Sequence, residues 1–436
     1  MSTFALSTLG CKVNQYEAQA LRERFLTLGW GERTFREGAD VCVINTCVVT
    51  GEAGEKCRRE IRRARRTNPA ARVIVTGCAA GVEADRWRCL PGVDAVFTRE
   101  QMVDLPAVLG NATPVERDVF EMAISRFAGH ARAFLKIEDG CDAGCAYCIV
   151  PHARGPVRSR PMPDIVQEAA RLAVAGHREI VLAGVHLGHY GRGLSPRPAL
   201  ADVVRAVLAT PGLSRVRLSS IEALELTDDI LDIAAERYGP GPADGSAAAA
   251  ASLCPHFHIP LQSGDDGVLR AMNRRYTAAQ FLTVLDRARR RLDRPAFTTD
   301  VIAGFPGETE EAFENTLRAC RSAGFSRIHV FPFSPRPGTP AAAMPDQVPA
   351  PVVHERAARL DALAGELALD YSRSFAGQTV HPLIELRRDR ATVLLTGRTE
   401  RYLRVILEGP DAWMGSTMAA TVREVRPGCL LCAPTA

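Results

Sequence analysis

Cys141, Cys145 and Cys148 stand in the run EDGCDAGCAYC, a CxxxCxxC spacing that packs three thiols into eight residues. A [4Fe–4S] cube has four irons and is usually held by cysteine thiolates. Three cysteines this close can wrap one corner of such a cube and leave a single iron open. An open iron can chelate the amino and carboxylate groups of S-adenosylmethionine, and an electron passed through it can break the sulfonium bond. A tetrahedral zinc site is the rival reading, but zinc usually draws on two CxxC pairs or on histidines. The nearest additional ligand is His152, and the Gly-rich, open character of the loop favours the cluster.

At 436 residues the chain has length for two or three domains with a substantial core. Its apolar fraction of 46% and charged fraction of 24% are those of a soluble globular protein. No charged, apolar, small-residue leader precedes Phe4, and no apolar run approaches membrane-spanning length, so a cytoplasmic protein without membrane attachment is expected. Thirteen cysteines in such a chain argue for metal or redox chemistry, not a disulfide scaffold. A net charge of +4 does not by itself imply nucleic acid. The basic residues are nearly all arginine, with Lys12, Lys56 and Lys136 the only lysines, and clustered arginines grip phosphate in fork geometry.

The first hundred residues repeat strand and helix. Apolar runs at Phe4–Gly10, Val41–Thr46, Arg72–Gly77 and Asp94–Thr98 read as short buried parallel strands, with helices expected at Asn14–Leu28 and Glu52–Thr67. The prediction is a small open α/β sheet whose ligands gather beyond the carboxyl ends of its strands. Cys11, Cys47 and Cys78 each fall just past one of the first three strands. A buried apolar cysteine is the bland reading of any one of them. Three at equivalent topological positions point to a second cluster, whereas Cys42, Cys57 and Cys89 read as packing residues.

A second run of units begins near Arg132. Strands are expected at Arg132–Ile137, Glu179–Gly184, Arg215–Ser220, His256–Leu261, Phe297–Ile302 and Arg327–Phe333, with helices including Pro163–Ala175, Thr277–Leu292 and Glu308–Ala323. Six βα units fall two short of a closed eightfold barrel, which predicts an open partial (β/α)6 barrel with its site at the carboxyl ends of the strands. Gly239–Ser252 reads as an exposed insertion and Pro335–Pro351 as a linker. After a last helix at Val352–Tyr371, short alternating strands from Gln378 to Val425 predict a small C-terminal β-barrel. The α/β chain thus divides into three expected domains, at 2–115, 127–370 and 373–436. The terminal CxxC of Cys429 and Cys432 has no partner pair nearby and reads as incidental or a weak metal site.

These motifs resemble those of the radical S-adenosylmethionine methylthiotransferases, enzymes that replace C–H by C–S–CH3. The matching segments include LGCKVNQYEA (Leu9–Ala18), INTCVVTGEA (Ile44–Ala53), TGC (Thr76–Cys78), Glu138–Arg160, GVHLGHYG (Gly184–Gly191), LSSIE (Leu218–Glu222), PHFHIPLQSG (Pro255–Gly264), MNRRYT (Met272–Thr277) and DVIAGFPGETEE (Asp300–Glu311). The likeness covers about residues 2–370, and the terminal barrel resembles the TRAM module, an RNA-binding addition. The GCKVNQYE version resembles the branch that modifies threonylcarbamoyladenosine next to the tRNA anticodon, at position 37. The isopentenyladenosine branch more often carries Gln-Met-Asn, and the ribosomal-protein branch Pro-Lys-Asn. A non-catalytic iron–sulfur or zinc protein that binds RNA is the rival of a different class.

The resemblance implies two [4Fe–4S] clusters. One, on Cys141, Cys145 and Cys148, would generate the 5′-deoxyadenosyl radical that takes hydrogen from carbon-2 of the base. The other, on Cys11, Cys47 and Cys78, would carry the sulfur. A second S-adenosylmethionine would supply the methyl group, and an external low-potential donor such as flavodoxin or ferredoxin the electron. A monomer that binds the anticodon stem-loop is expected. Tyr147 is implied to contact the cofactor adenine through its backbone. Gly184 and Gly188 suit close backbone approach, Ser219 and Glu222 are candidates for its ribose or amino group, and Gln262 and Arg274 for its ribose and carboxylate. Capping or ion-pair roles remain open for the last two. Gly304–Glu308 reads mainly as a strand-to-helix turn, and Pro260 departs from the family's usual serine. For RNA, Arg62 and Arg66 lie on a strongly basic helix, Arg154, Arg158 and Arg160 are expected at the substrate rim, and Arg398, Arg401 and Tyr402 on the terminal barrel.

Overall fold

The computed structural model describes residues 2–49, 51–110, 122–237 and 251–435. Of the expected insertion at Gly239–Ser252, residues 239–250 lie outside the described residues. The chain divides into two compact units: Met1–Ser125 with Asp139–Ala143 and Cys148–Arg160, and Arg126–Glu138 with Gly144–Tyr147 and Pro161–Ala436. The cysteine loop contributes to both. No helix among the described residues is long and apolar enough to cross a membrane.

The first unit is the expected open α/β sheet. Its strands are β1 (Thr3–Thr8), β2 (Gly31–Glu32), β3 (Val41–Thr46), β4 (Arg72–Gly77) and β5 (Ala95–Val96), in the order β2-β1-β3-β4-β5. Every pairing is parallel. The continuous apolar run VCVINT is what a parallel strand covered on both faces needs, and all six of its residues are buried. Helix α1 (Lys12–Thr27) follows β1, and α2 (Gly51–Thr67) follows β3. Cys57, Ile61 and Ala64 form the buried stripe of α2 at helical spacing. Cys42 and Cys57 pack in this core as expected, whereas Cys89 is exposed and lies outside it.

The second unit opens with β6 (Arg132–Lys136), and the two-residue strands β7 (Glu138–Asp139) and β8 (Arg158–Ser159), the latter in the first unit, flank the cysteine loop. Then come β9 (Glu179–Ala183), β10 (Arg215–Leu218), β11 (Ser252–Leu253), β12 (His256–His258), β13 (Ala296–Ala303) and β14 (Arg327–Pro332). Two parallel sheets, β11-β10-β9-β6 and β12-β13-β14, are joined by a parallel bridge between Ser220 and His258. The result is an open six-unit barrel with β6 and β14 at its ends. Helices Met162–Val174, Leu200–Leu208, Asp228–Arg237, Ala278–Arg291 and Glu310–Ala323 alternate with the strands. The turn at Gly304–Glu308 is structural: Gly304 has φ +78°, and its N–H donates to the Glu308 carboxylate at 2.8 Å. Glu308 also accepts from Arg356 of the long helix Ala350–Arg373, at 2.9 Å.

The strand-rich end, expected as a separate domain at 373–436, falls within this second unit. Its strands are β15 (Thr379–Val380), β16 (Leu383–Arg388), β17 (Leu395–Arg398), β18 (Arg404–Leu407), β19 (Ala420–Arg426) and β20 (Cys429–Pro434). They form one sheet in the order β15-β19-β20-β18-β17-β16, and a bridge from Leu383 to Thr417 curls its edge back towards β19. A buried ionic joint ties this sheet to the amino ends of the barrel strands. Glu179, at the start of β9, accepts from Arg215 at 2.6 Å and Arg217 at 2.9 Å. The two guanidiniums also donate to carbonyls of His381, Arg398, Thr399 and Glu400. Burial opposes the charge of Glu179, but the flanking Arg217, Arg215 and Arg132 hold its carboxyl well below the usual carboxylate range.

Candidate active site

Within the first unit, three separate strand ends bring the first thiol trio together. Cys11 caps α1 just past β1, Cys47 follows β3 directly, and Cys78 opens the short helix α3 (Cys78–Val82) directly after β4. Asn14, on the first turn of α1, organises them. Its Oδ1 accepts from the Cys11 thiol at 3.5 Å and from the Cys78 thiol at 3.7 Å. Its Nδ2 donates to the carbonyls of Thr46 at 2.8 Å and Leu9 at 3.2 Å. Gly10 lies at φ +117°, and a Cβ there would stand 2.9 Å from the Cys47 Cβ and 3.2 Å from its Sγ. That position therefore admits only glycine beside this thiol.

All three cysteines are free, and they grade from exposed Cys11 through half-buried Cys47 to buried Cys78. Burial pushes the Cys78 thiol up to about 12 and raises Cys47, with the Arg154 guanidinium pulling both the other way. Three convergent thiols, one side open at Cys11 and a cation beside them, fit an iron–sulfur cluster held at three corners.

The second trio lies on one short loop. Gly140, at φ +84°, lets the chain turn where a Cβ would stand 2.0 Å from the Pro156 carbonyl, and the Cys141 N–H donates to Gly155 at 3.1 Å. In the second unit, the Ala146 N–H donates to Met272 at 3.0 Å, and Asn273 donates to the Gly144 carbonyl at 2.8 Å. The Arg274 guanidinium reaches Cys145 Sγ at 3.5 Å and pairs with Glu222. Cys141, Cys145 and Cys148 are all half-buried and in no disulfide, as a thiolate ligand set requires.

The remaining expected cofactor residues of the second unit stand at the carboxyl ends of its strands. Ser219 follows β10 and is buried, and its Oγ has no hydrogen-bond partner among the described residues. Such an orphan is costly unless a ligand answers it. Gln262 follows β12 with φ +62°, donates through its N–H to Asp300 at 2.8 Å and accepts from Ile302 at 2.9 Å. Tyr147 packs half-buried against the core that includes Val268, Met272 and Phe305. Pro260 contributes its carbonyl, which accepts from the Tyr276 hydroxyl at 2.8 Å.

Gly184 and Gly188 each lie against a carboxylate. A Cβ on Gly184 would stand 2.5 Å from Glu138 Oε2, and one on Gly188 would stand 1.9 Å from Glu225 Oε2. Both glycines thus make room for carboxylates. Sequence reasoning missed the cluster around the second of these. His186 and His189 stack at 3.6 Å between ring centres, and their Nε2 atoms lie 2.8 and 3.4 Å from Glu225 Oε1. The HxxH spacing in GVHLGHYG was the available signal. The set has ligand chemistry for a cation, but Arg192 Nη2 sits 2.9 Å from His189 Nε2 and fills that place.

Burial corrects the expected RNA contacts of Arg154, Arg160 and Arg401, and Arg398 and Tyr402 are half-buried. Arg154 is buried between Glu17, at 3.1 Å, and Asp139, at 2.9 Å, and Arg160 is buried with its Nη1 on the Tyr16 hydroxyl at 3.2 Å. Neither forms a rim. Arg401 is buried in the joint to the barrel, donating to the Arg294 carbonyl at 2.9 Å and to that of Asp293 at 2.8 Å. The Tyr402 ring is sandwiched by cations, with Arg217, Arg398 and Arg132 at 4.9, 5.0 and 5.2 Å. Burial lowers the Arg398 guanidinium. Arg62, Arg66 and Arg158 are exposed, as phosphate contacts must be. Arg59 joins the first two on one face of α2, and Arg387 and Arg390 are exposed on and beside β16.

Residues 3–98 match the model of Uncharacterized protein family UPF0004, and residues 135–320 match that of the radical SAM superfamily. The chain is 37% identical to "Threonylcarbamoyladenosine tRNA methylthiotransferase MtaB" of Bacillus subtilis (strain 168), over 97% of this chain and 94% of that one. It is 36% identical to "tRNA-2-methylthio-N(6)-dimethylallyladenosine synthase" of Parafrankia sp. (strain EAN1pec), over 98% and 86%. Among solved structures, the radical S-adenosylmethionine methyltransferase TsrM of Kitasatospora setae aligns with a TM-score of 0.53 and 14% identity, over 78% of this chain and 77% of that one, a likeness of fold alone. With thiol trios in both matched segments and relatives aligned along nearly its whole length, this chain belongs to the radical S-adenosylmethionine methylthiotransferase family.

Proposed function

We propose that this chain methylthiolates carbon-2 of N6-threonylcarbamoyladenosine at position 37 of tRNA, beside the anticodon. The observation that carries the reading is the near-complete alignment with a relative of that name, together with Lys12-Val13-Asn14 following Cys11. Identity alone does not separate the branches, because the relative named for dimethylallyladenosine is 36% identical. Within the tripeptide the discriminating residues are Lys12 and Val13, because Asn14 is common to all three versions.

S-adenosylmethionine and two [4Fe–4S] clusters supply radical hydrogen abstraction and sulfur transfer when bound. The chain's own residues do the rest. Cys141, Cys145 and Cys148 hold one cluster, and Cys11, Cys47 and Cys78 the other. Arg274 presents a cation beside Cys145 and is oriented by Glu222 and by the Tyr276 hydroxyl, at 3.0 Å. It is positioned to meet the carboxylate of S-adenosylmethionine. Ser219 offers a buried hydroxyl at a strand's carboxyl end. Arg59, Arg62 and Arg66 give α2 a cationic face for RNA phosphate, and Arg158, Arg387 and Arg390 extend the set. An external low-potential protein donates the electron, and a cytoplasmic monomer suits a tRNA substrate.

The test is nucleoside mass spectrometry of tRNA from a strain lacking the gene. Loss of methylthio-threonylcarbamoyladenosine with other methylthiolated nucleosides intact is expected. Unchanged levels of that nucleoside would overturn the substrate.

A further inference from the structure

The burial of Arg154 removes it from the RNA surface and raises the question of what a cation does there. Its Nη2 donates to Asn14 Oδ1 at 2.6 Å, the same oxygen on which the Cys11 and Cys78 thiols converge. Its Nη1 binds Glu17 and Asp139, at 3.1 and 2.9 Å. Asp139 is shared with buried Arg99 at 2.6 Å, whose Nη2 also donates to the Arg154 carbonyl at 3.2 Å. Arg99 also pairs with the exposed Glu100 at 3.4 Å, so Arg154 sits in a network of guanidiniums and carboxylates. The next residue, Gly155, accepts the backbone hydrogen bond of Cys141. One short segment therefore presents its side-chain charge to the first trio and its backbone to a ligand of the second.

We propose that Arg154 is a positioning residue of the strand-end cluster: through Asn14 it fixes a buried positive charge beside Cys11, Cys47 and Cys78 and raises the reduction potential of the cluster they hold. This inference rests on the reading of that trio as a cluster site. The physical reason is charge. Reduction adds an electron to a centre already bound by three thiolates, and a cation held in a poorly screened interior favours the more negative state. Glu17 accepts from both Nη1 and Nη2 of the guanidinium, at 3.1 and 3.3 Å, and opposes this effect, while the Nη2 bond to Asn14 Oδ1 at 2.6 Å keeps the cation next to the trio, on which it acts through space. A purely mechanical ion pair between α1 and the loop would leave the potential unmoved.

The experiment uses the full chain with Cys141, Cys145 and Cys148 replaced by alanine, reconstituted without oxygen, so that iron can occupy only the strand-end trio. Midpoint potential is read by redox titration followed by electron paramagnetic resonance. Arg154→Met is expected to shift the potential to more negative values, and Arg154→Lys, which keeps the charge, to restore most of the shift. If Arg154→Met does not fold, the paired variant Glu17→Gln with Arg154→Met removes both buried charges together and is expected to give a smaller negative shift. A parent protein that takes up no iron would refute the cluster reading itself. Iron uptake with an unchanged potential in whichever variant folds, or a lysine variant displaced as far as methionine, would overturn the role of Arg154.

Discussion

The two thiol trios reach similar chemistry by opposite routes. Cys141, Cys145 and Cys148 are neighbours in sequence, and their loop needs only Gly140 and a few backbone hydrogen bonds to take its shape. Cys11, Cys47 and Cys78 are scattered over 68 residues, and the parallel order β1-β3-β4 brings their strand ends side by side. The local trio stays uniformly half-buried, whereas the assembled one is graded from exposed to buried. A short loop can place ligands but buries little. A sheet edge can place ligands inside a core and surround them with fixed charges such as Arg154.

Cys145→Ala gives the largest expected effect. It should abolish reductive cleavage of S-adenosylmethionine in an anaerobic assay, while retained cleavage would refute the loop trio as the radical-generating ligands. Cys47→Ala separates the trios. Cleavage should continue at near wild-type rate with no thiolated product by mass spectrometry, and iron should fall from about eight to about four per chain. Normal product from that variant would remove the functional distinction between the two sites.

Two further predictions concern charges away from the thiols, one set buried in the fold and one on the surface. Glu179→Gln leaves Arg215 and Arg217 buried without their carboxylate and should cost about 3–5 kcal/mol in denaturant unfolding. In the unaltered protein the Glu179 carboxyl is held low in the folded state, so its contribution is complete above the unfolded carboxyl value of about 4.3 and is lost as pH falls below it. Stability measured between pH 6 and pH 3 should therefore drop with acid, and by less in Glu179→Gln. The smallest effect concerns the surface. Replacing Arg59, Arg62 and Arg66 together by alanine should leave cofactor cleavage intact and weaken tRNA binding. It should also make the salt dependence of binding shallower, by about 0.7–0.9 in log–log slope for each phosphate that is no longer neutralised.

Local pattern made most of the framework legible. Apolar runs located the long strands of both sheets because a parallel strand buried on two faces has no alternative composition, and β3 and β4 fall on the expected residues. The strand-end position of Cys11, Cys47 and Cys78 was likewise readable, since a parallel sheet aligns its carboxyl ends. Arginine roles were not readable. Arg62 and Arg66 on α2 and Arg154 in the loop belong to similarly basic stretches, yet the first two face solvent and the last lies between two carboxylates. Nothing near Arg154 in sequence announces Glu17, which is 137 positions away.

The amino-acid sequence by itself determined the strand–helix alternation, the two sets of three thiols and the family, because each depends on spacing and composition along the chain. Tertiary structure alone decided which cations face water and which are enclosed. It drew the Cys11 and Cys78 thiols onto a single asparagine oxygen, and it assigned Arg398, Arg401 and Tyr402 to a joint within the second unit. Burial and electrostatic partnership are properties of distance in space, and for a long, flexible guanidinium that distance is fixed only when the surrounding elements have packed.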